Sequence, residues 1–182
     1  YGKFSHPNDN DKNISSVTID NLFNFIKANN IISIKKVMFF GGEPLIAHKE
    51  IKEICLKFSK LFLNKKILEI PKYGLVTNLT QCNPEIIDLI KTYDISLTAS
   101  IDGPSYIHNL QRSNSYNIIK KNYKILKNNI HAIEATYTMN HVKQGISIQN
   151  LSEFLSNEFC IPINSIDVVP VTNCPSLEVD SI

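Results

Sequence analysis

Residues 41–44, Gly-Gly-Glu-Pro, carry the most distinctive chemistry of the chain and directly follow the apolar run Val37–Phe40. That run is typical of a buried strand. Gly41 and Gly42 leave the backbone without Cβ atoms where the strand ends, so that another molecule can approach closely. Glu43 adds a negative charge that can receive an ammonium group, and Pro44 suits a first helical turn, where its missing N–H is not needed. The segment therefore predicts a ligand-contacting turn between a strand and a helix.

Similar polar turns follow four later strands predicted from the sequence. They are Thr77–Thr80, Ser100–Pro104, Thr138–His141 and Pro170–Asn173. The carboxyl ends of parallel strands share one edge of a sheet, where ligands bind. Each of these four groups is also compatible with an ordinary turn, because Asn, Asp, Gly and Pro are common turn residues. A double glycine with a carboxylate exceeds what a tight turn requires, so residues 41–44 are the strongest candidate.

Arg112 follows the Ser100–Pro104 turn and can pair with an anionic group through its planar guanidinium. Together with Glu43 it would match the carboxylate and the ammonium of an amino-acid head group. Taken alone, Arg112 is equally compatible with a solvent-exposed arginine that binds no ligand.

Hydrophobic periodicity predicts helices and strands that alternate along the chain. Helices are predicted near residues 16–29, 47–63, 84–91, 115–129 and 148–158, and strands near 36–40, 73–77, 95–101, 131–138 and 165–171. This alternation predicts an α/β fold with parallel strands joined by helices. In the strand at 131–138, Glu134 and Thr136 alternate with Ile133 and Ala135. An open parallel sheet is apolar on both faces, so a polar face favours a partial barrel with a ligand inside over a doubly wound sheet.

Composition and charge exclude several classes of protein. The chain has 182 residues, of which 43% are hydrophobic and 20% charged, and a formal net charge of +2. Its lysines are spread along the predicted helices, so no nucleic-acid partner is predicted. No apolar run reaches the roughly 18 residues of a membrane span, and no signal peptide is recognisable, so no membrane partner is predicted. The sequence does not begin with Met, which points to a fragment or a trimmed form.

Cysteine usage predicts a reducing, cytoplasmic location. The chain contains four cysteines, none of them in a CxxC pair: Cys55, Cys82, Cys160 and Cys174. This pattern matches neither a zinc site nor a dense disulfide framework. Cys55 shares helical spacing with Phe58 and Phe62, and all three are predicted to face the core.

Four segments resemble the radical S-adenosylmethionine enzymes, in particular their peptide- and protein-modifying branch, which includes anaerobic sulfatase maturases and thioether-forming peptide maturases. They are Phe-Phe-Gly-Gly-Glu-Pro-Leu at 39–45, Thr-Asn at 77–78, Ser-Ile-Asp-Gly at 100–103 and a His-x-x-x-Arg pattern at 108–112. Each segment alone is moderately specific, and the ordered set is strongly so. The resemblance implies a partial (β/α)6 TIM-like barrel of parallel strands, with residues 1–182 forming a single, incomplete radical S-adenosylmethionine core domain.

The resemblance also implies a binding site for S-adenosylmethionine. Its residues would be Gly41, Gly42, Glu43 and Pro44 at the methionine amino group, Ser100 and Arg112 at the carboxylate and ribose, Asn78 and Asp102 as supporting contacts, and Val169 and Val171 near the adenine. In this family a [4Fe-4S] cluster reduces the bound cofactor, and the resulting 5′-deoxyadenosyl radical abstracts a substrate hydrogen. The implied substrate is a cysteine-containing peptide or protein that gains a thioether, and the implied electron donor is a ferredoxin or flavodoxin.

The sequence departs from the family pattern in three places. The family holds its cluster with a C-x3-C-x2-C loop after the first strand, and no such motif occurs in these 182 residues. Family sequences commonly continue from the third cysteine into Tyr-Gly or Tyr-Ala, and this chain opens with Tyr1-Gly2. We therefore expect the cluster ligands, and the first strand, upstream of Tyr1. Leu79 replaces the glycine of the family's Thr-Asn-Gly turn, and the family's C-terminal cysteine-rich extension is absent.

Two other functions remain open from the sequence. The chain could be a degenerate module that binds a nucleotide or peptide without redox chemistry, or an ordinary βα-barrel enzyme that uses Glu43 or Asp102 as a general base. The residues encoded upstream of Tyr1 distinguish the radical enzyme from the degenerate module. We also expect the isolated chain to aggregate, because the strand at 36–40 would present an unpaired edge.

Overall fold

A computed structural model describes residues 13–171 of the chain. Its strands are β1 (Lys36–Phe39), β2 (Lys72–Thr77), β3 (Ser96–Ser100), β4 (Ile130–Tyr137) and β5 (Ile166–Pro170). Its α-helices are α1 (Ser16–Ala28), α2 (His48–Leu63), α3 (Pro84–Thr92), α4 (Ser105–Gln111), α5 (Tyr116–Leu126), α6 (Met139–Lys143) and α7 (Ile148–Phe159). Short 3₁₀ turns cover Pro44–Ala47, Lys127–Asn129 and Ile163–Ser165.

The five strands form one parallel sheet in which hydrogen-bonded neighbours follow chain order, from β1 to β5. Val37 of β1 pairs with Tyr73 of β2, and Glu134 of β4 pairs with Asp167 of β5. A doubly wound sheet reverses its strand order at a switch point, and this order contains no reversal. The predicted α/β fold is confirmed, and the doubly wound alternative is not.

The described residues divide into two compact units, each considered by itself below. The N-terminal unit comprises residues 13–77 and 81–97, and the C-terminal unit comprises residues 78–80 and 98–171.

The core of the N-terminal unit lies between α1, α2 and β2. The rings of Phe23 and Phe58 meet edge to face with centroids 4.8 Å apart, and Tyr73 lies 6.5 Å from Phe58. Cys55 is fully buried beside them, as its spacing predicts, and burial raises the pKa of its thiol to about 12 because a thiolate is disfavoured there. The prediction for Phe62 is wrong, because its side chain is exposed.

The C-terminal unit shows the alternation predicted for β4. Ile133 and Ala135 are fully buried, whereas Glu134 and Thr136 are only partly covered. Helices α5 and α7 pack through Tyr123 and Phe159, whose ring centroids lie 4.8 Å apart. Sequence periodicity did not predict α4 or α6, because helices of 7 and 5 residues contain too few turns to show a repeating apolar face.

Within residues 13–171, no helix combines the length and the apolar character that crossing a membrane requires.

Candidate functional site

The turn at residues 41–44 is open to its surroundings. β1 ends at Phe39, and the next side chain, Phe40, is 78% exposed. Gly41 and Gly42 are both exposed, and a Cβ atom built on either would meet no heavy atom within 4 Å. Packing against the rest of residues 13–171 therefore does not require the double glycine. It leaves a stretch of bare backbone that another molecule can reach.

Glu43 is held at the edge of this open turn by two hydrogen bonds to one carboxylate oxygen. Its Oε1 accepts from the backbone N–H of Leu45 at 3.1 Å and from the hydroxyl of Thr77 at 2.7 Å. Glu43 is thus the N-cap of the 3₁₀ turn that Pro44 begins. This second role was missed in the sequence, although a carboxylate immediately before a helix-starting proline is a signal for it.

His48 supports the same turn from the start of α2. Its Nδ1 lies 3.2 Å from the carbonyl oxygen of Leu45, and its Nε2 lies 3.1 Å from a carboxylate oxygen of Glu85 in α3. The His48 ring therefore lies between the carbonyl of Leu45 and the Glu85 carboxylate of α3, so the backbone that carries Glu43 is tied to two helices of the N-terminal unit.

The turn after β3 is closed, in contrast to the turn after β1. Asp102 is fully buried, and its carboxylate pairs with Arg112, with Nε 2.6 Å from Oδ2 and Nη2 2.9 Å from Oδ1. The backbone N–H of Thr136 also donates to Oδ1 at 3.0 Å. The sequence placed Asp102 and Arg112 in one site, and the structure joins them as a bidentate ion pair within the C-terminal unit.

Two buried histidines hold the backbone of Asp102. The Nδ1 atom of His108 accepts from the N–H of Asp102 at 3.2 Å, and its Nε2 faces the hydroxyl of Ser115 at 3.1 Å. His141 Nε2 lies 2.7 Å from the carbonyl oxygen of Asp102. Burial lowers the pKa of His108 to about 4; the nearby Arg112 charge adds to this, and Asp102 opposes it. His108 is therefore neutral at ordinary pH.

Asn78 and Leu79 form a tight turn without the family's glycine. The Asn78 side-chain oxygen accepts from the N–H of Thr80 at 2.9 Å and from its hydroxyl at 2.7 Å. Leu79 adopts a left-handed backbone with φ of 56°, which usually favours glycine. Its side chain is fully buried, and its carbonyl accepts from Asn122 at 2.8 Å. Core packing and this hydrogen bond stabilise a left-handed backbone conformation that a glycine would adopt without strain.

The remaining predicted site residues lie on β3 and β5. Ser100 ends β3 and is buried, with 8% of its surface exposed. Val169 is exposed on β5, and Val171 follows that strand with its N–H donated to the carbonyl of Tyr137 at 2.9 Å. Val169 therefore presents exposed apolar surface.

No group of three His, Cys, Asp or Glu side chains that could hold a metal is present among residues 13–171. Of the cysteines in that range, Cys55 is buried, Cys82 is partly covered and Cys160 is exposed. Cys174 lies outside the described residues. The side chains described here do not fit an iron–sulfur cluster, and we derive no step through one.

Comparison with known proteins identifies the family. The profile of the Radical SAM superfamily matches residues 3–155, and the chain therefore belongs to that superfamily. The resemblance drawn from the four sequence segments is confirmed at this level.

Two curated relatives are similar to part of the chain. An uncharacterized protein of Methanothermobacter thermautotrophicus is 35% identical over 78 residues, which are 43% of this chain and 29% of the relative. An uncharacterized protein of Methanocaldococcus jannaschii is 32% identical over 96 residues, 53% of this chain and 32% of the relative. The aligned part is thus about a third of each relative.

Solved structures show the same fold. His6-tagged anSMEcpe with bound AdoMet superposes with a TM-score of 0.70 at 16% identity, over 93% of this chain and 45% of that one. Native anSMEcpe with bound AdoMet and Cp18Cys peptide gives a TM-score of 0.60 at 16% identity, over 74% and 37%. The chain thus spans less than half of these structures. With the sequential parallel sheet, this likeness shows a partial TIM-like barrel, as predicted.

Proposed function

We propose that this chain is the S-adenosylmethionine-binding core of a radical enzyme that modifies a cysteine-containing peptide or protein. The observation that carries the proposal is the exposed Gly41-Gly42 pair, where an added Cβ would meet no heavy atom of the described residues within 4 Å, beside an oriented Glu43 carboxylate. Membership of the Radical SAM superfamily and the AdoMet-bound structures of similar fold support S-adenosylmethionine as the ligand of that turn.

The methionine head of the ligand would be bound through its two charges. Glu43 would accept the ammonium, with the backbone of Gly41 and Gly42 in close approach and Pro44 fixing the direction of the chain. Thr77 and the N–H of Leu45 hold Oε1 of Glu43, so the carboxylate is oriented before the ligand arrives. A preoriented carboxylate loses little rotamer freedom on binding, which favours affinity.

Ser100 and Arg112 would face the carboxylate and the ribose, with Asn78 and Asp102 as supporting residues. The ion pair modifies this assignment, because Asp102 offsets much of the positive field that Arg112 presents. We therefore propose that Arg112 orients the ligand carboxylate, and that the Ser100 hydroxyl makes a direct hydrogen bond to the ligand. Val169 and Val171 would contribute apolar contact to the adenine.

The cluster ligands and the electron donor lie beyond the described residues in this proposal. A [4Fe-4S] cluster held by such ligands would supply the reducing electron for S-adenosylmethionine. We place its cysteines in a segment upstream of Tyr1, and its electron source in a ferredoxin or flavodoxin. The half-covered Glu134 and Thr136 side chains of β4 would line the chamber in which the substrate reacts.

The substrate is proposed as a cysteine-containing peptide or protein, and the product as a thioether. The support is the fold shared with anSMEcpe, an anaerobic sulfatase maturase that binds the Cp18Cys peptide. In the product, a bond joins the cysteine sulfur to a carbon, with S-adenosylmethionine as the oxidant. The hydrogen atom of the carbon would leave in 5′-deoxyadenosine, the thiol proton would pass to solvent, and the remaining electron would return to the iron–sulfur centre that had reduced S-adenosylmethionine.

The test uses the complete protein, purified and reconstituted without oxygen. Iron and sulfide are quantified, S-adenosylmethionine binding is measured by equilibrium dialysis, and 5′-deoxyadenosine is assayed with a reductant and a cysteine-containing peptide. Glu43→Gln should weaken binding roughly tenfold to a hundredfold, since it removes a charge-assisted contact. The matched control is Glu50→Gln, on the first turn of α2.

Three outcomes separate the candidate functions. Cluster content, 5′-deoxyadenosine and a peptide that has lost two hydrogens together with its free thiol support the full proposal. Binding of S-adenosylmethionine by a protein that assembles no cluster supports the degenerate binding module instead. Equal binding by the Glu43→Gln and Glu50→Gln variants contradicts the assignment of Glu43.

A further inference from the structure

Every polar group of Asp102 has a partner within the C-terminal unit. Its carboxylate is paired with Arg112 and the N–H of Thr136, its own N–H donates to His108, and its carbonyl lies 2.7 Å from His141 Nε2. Asp102 is fully buried, as are both histidines. The two peptide groups that flank the Cα atom of Asp102 are therefore each held by one imidazole, from α4 on the N–H side and from α6 on the carbonyl side.

The hydrogen bonds of His108 define its protonation. Nδ1 accepts from the N–H of Asp102, so the ring proton lies on Nε2 and is donated to Ser115 Oγ. Ser115 in turn donates to the backbone carbonyl of Arg112 at 2.7 Å. His108 thus connects the backbone of Asp102 to the backbone of its ion-pair partner.

His141 carries the same tautomer for a different reason. Its Nδ1 accepts from the N–H of Thr138 at 3.1 Å, in the capping box that begins α6. The Thr138 hydroxyl accepts from Gln111 at 2.7 Å, which leaves its own proton for Nδ1 of His141, 3.3 Å away. The proton of His141 therefore lies on Nε2, where it is donated to the carbonyl of Asp102.

Neighbouring groups keep His141 in this position. The ring of Tyr137 stacks on it with centroids 4.9 Å apart and planes inclined by 21°. Gly103, with φ of 124°, follows Asp102 in a backbone conformation that favours glycine, and a Cβ there would lie 2.8 Å from Leu151 Cδ1. The same Cβ would lie 3.5 Å from His141 Nε2, an ordinary contact distance, so the chain next to the Asp102 carbonyl runs close to the ring.

We propose that His108 and His141 are positioning residues of the S-adenosylmethionine site. Both act as neutral Nε2–H tautomers, His108 at the backbone N–H of Asp102 and His141 at its carbonyl. The inference rests on the proposed function. They fix Asp102, and through it Arg112 and the end of the strand that carries Ser100. Neither histidine touches the ligand.

Paired amide substitutions test the two contacts separately. Glutamine places its amide near the Nε2 position of histidine, and asparagine places its amide near Nδ1. At position 141 the contact with Asp102 uses Nε2, so His141→Gln should keep it and His141→Asn should lose it. At position 108 that contact uses Nδ1, so His108→Asn should keep it and His108→Gln should lose it.

The expected result is a crossed order of S-adenosylmethionine affinity, measured on the anaerobically reconstituted complete protein. His141→Asn and His108→Gln should each bind about tenfold more weakly than the other variant at the same position, since one hydrogen bond is lost. If the two histidines served only to fill the core, the same substitution, either to Asn or to Gln, would bind S-adenosylmethionine more weakly at both positions. Thermal unfolding of all four variants confirms that folded protein is compared, and the same order at both positions overturns the proposal.

A ligand-free measurement separates this proposal from the proposed function. In protein labelled with 15N-histidine, the ring nitrogens of His108 and His141 should show the Nε2–H tautomer, without S-adenosylmethionine present. If the wild-type protein shows these tautomers but binds no S-adenosylmethionine, the proposed function fails. The claim that the two histidines position an S-adenosylmethionine site then fails as well. If the wild-type protein binds S-adenosylmethionine but either ring is the Nδ1–H tautomer, only the inference fails.

Discussion

The turns after β1 and β3 occupy equivalent places, at the carboxyl ends of parallel strands, yet they are built in opposite ways. The first exposes Gly41 and Gly42, and its Glu43 carboxylate is only partly covered. The second buries Asp102 completely, inside an ion pair and between two histidines. An open turn can exchange its neighbours for a ligand, whereas a closed turn keeps a fixed shape for the residues beside it.

This difference separates two kinds of acidic residue that look alike in sequence. Glu43 and Asp102 both follow strands and both stand beside glycine. Substitution of Asp102 should therefore act mainly on the free energy of unfolding, and substitution of Glu43 mainly on ligand affinity.

Asp102→Asn should give the largest loss of stability, about 3 kcal/mol, because breaking a buried ion pair from one side leaves the other charge uncompensated. The free energy of unfolding by urea measures it. Asp167→Asn, at an exposed position on β5, is the control and should change it by less than about 0.5 kcal/mol. Equal effects of the two substitutions would show that the second turn is not closed.

Stability should fall as pH drops from the ordinary histidine pKa of 6.5 to the pKa of His108, about 4. In this range the unfolded chain binds a proton that the folded chain does not, so protonation favours unfolding, by up to about 3 kcal/mol. Urea unfolding across this pH range in wild type and His108→Asn measures the effect, since the variant lacks this slope. The exposed His131 provides the control, because His131→Asn should retain it. A wild-type slope no steeper than that of His108→Asn would contradict a neutral, buried His108.

Replacing one glycine of each turn by alanine compares the backbone conformations of the two turns directly. Gly103→Ala should cost roughly 1–3 kcal/mol, because φ of 124° is unfavourable for a side chain and the new Cβ would lie 2.8 Å from Leu151. Gly42→Ala should change the free energy of unfolding by only about 0.5 kcal/mol, since its Cβ would point into open space. Thermal or urea unfolding of both variants is the measurement, and a reversed order would refute the comparison.

Glu43→Gln should have only a small effect on stability, about 0.5–1 kcal/mol, because it weakens the cap of one short 3₁₀ turn. Its effect on S-adenosylmethionine affinity should be the largest of this set. Unfolding and equilibrium dialysis on the same preparation give both quantities. A variant that loses stability but binds normally would place Glu43 with Asp102, as a structural acid.

Sequence reasoning predicted the exposed turn at residues 41–44 well and the contacts that support the turns poorly. Gly41, Gly42 and Glu43 were recognisable because a double glycine beside a carboxylate is more than a turn needs. Thr77 as a partner of Glu43, and Ser115 as a partner of His108, were not recognisable, because 34 and 7 residues separate the partners and no local pattern marks such pairs. The left-handed Leu79 was likewise not recognisable, since its burial and its hydrogen bond with Asn122, 43 residues away, are tertiary contacts.

The sequence by itself determined the alternation of helices and strands, the open turn at 41–44 and the membership of the superfamily, because these depend on local periodicity and on short ordered motifs. The tertiary structure alone decided which acid is partly covered and which is fully buried. Glu43 and Asp102 have similar chemistry, and their difference arises from what packs around each turn. Within the described residues, a Cβ at either glycine before Glu43 would meet no heavy atom within 4 Å. Asp102 is instead surrounded by its hydrogen-bond partners Arg112, His108, His141 and Thr136.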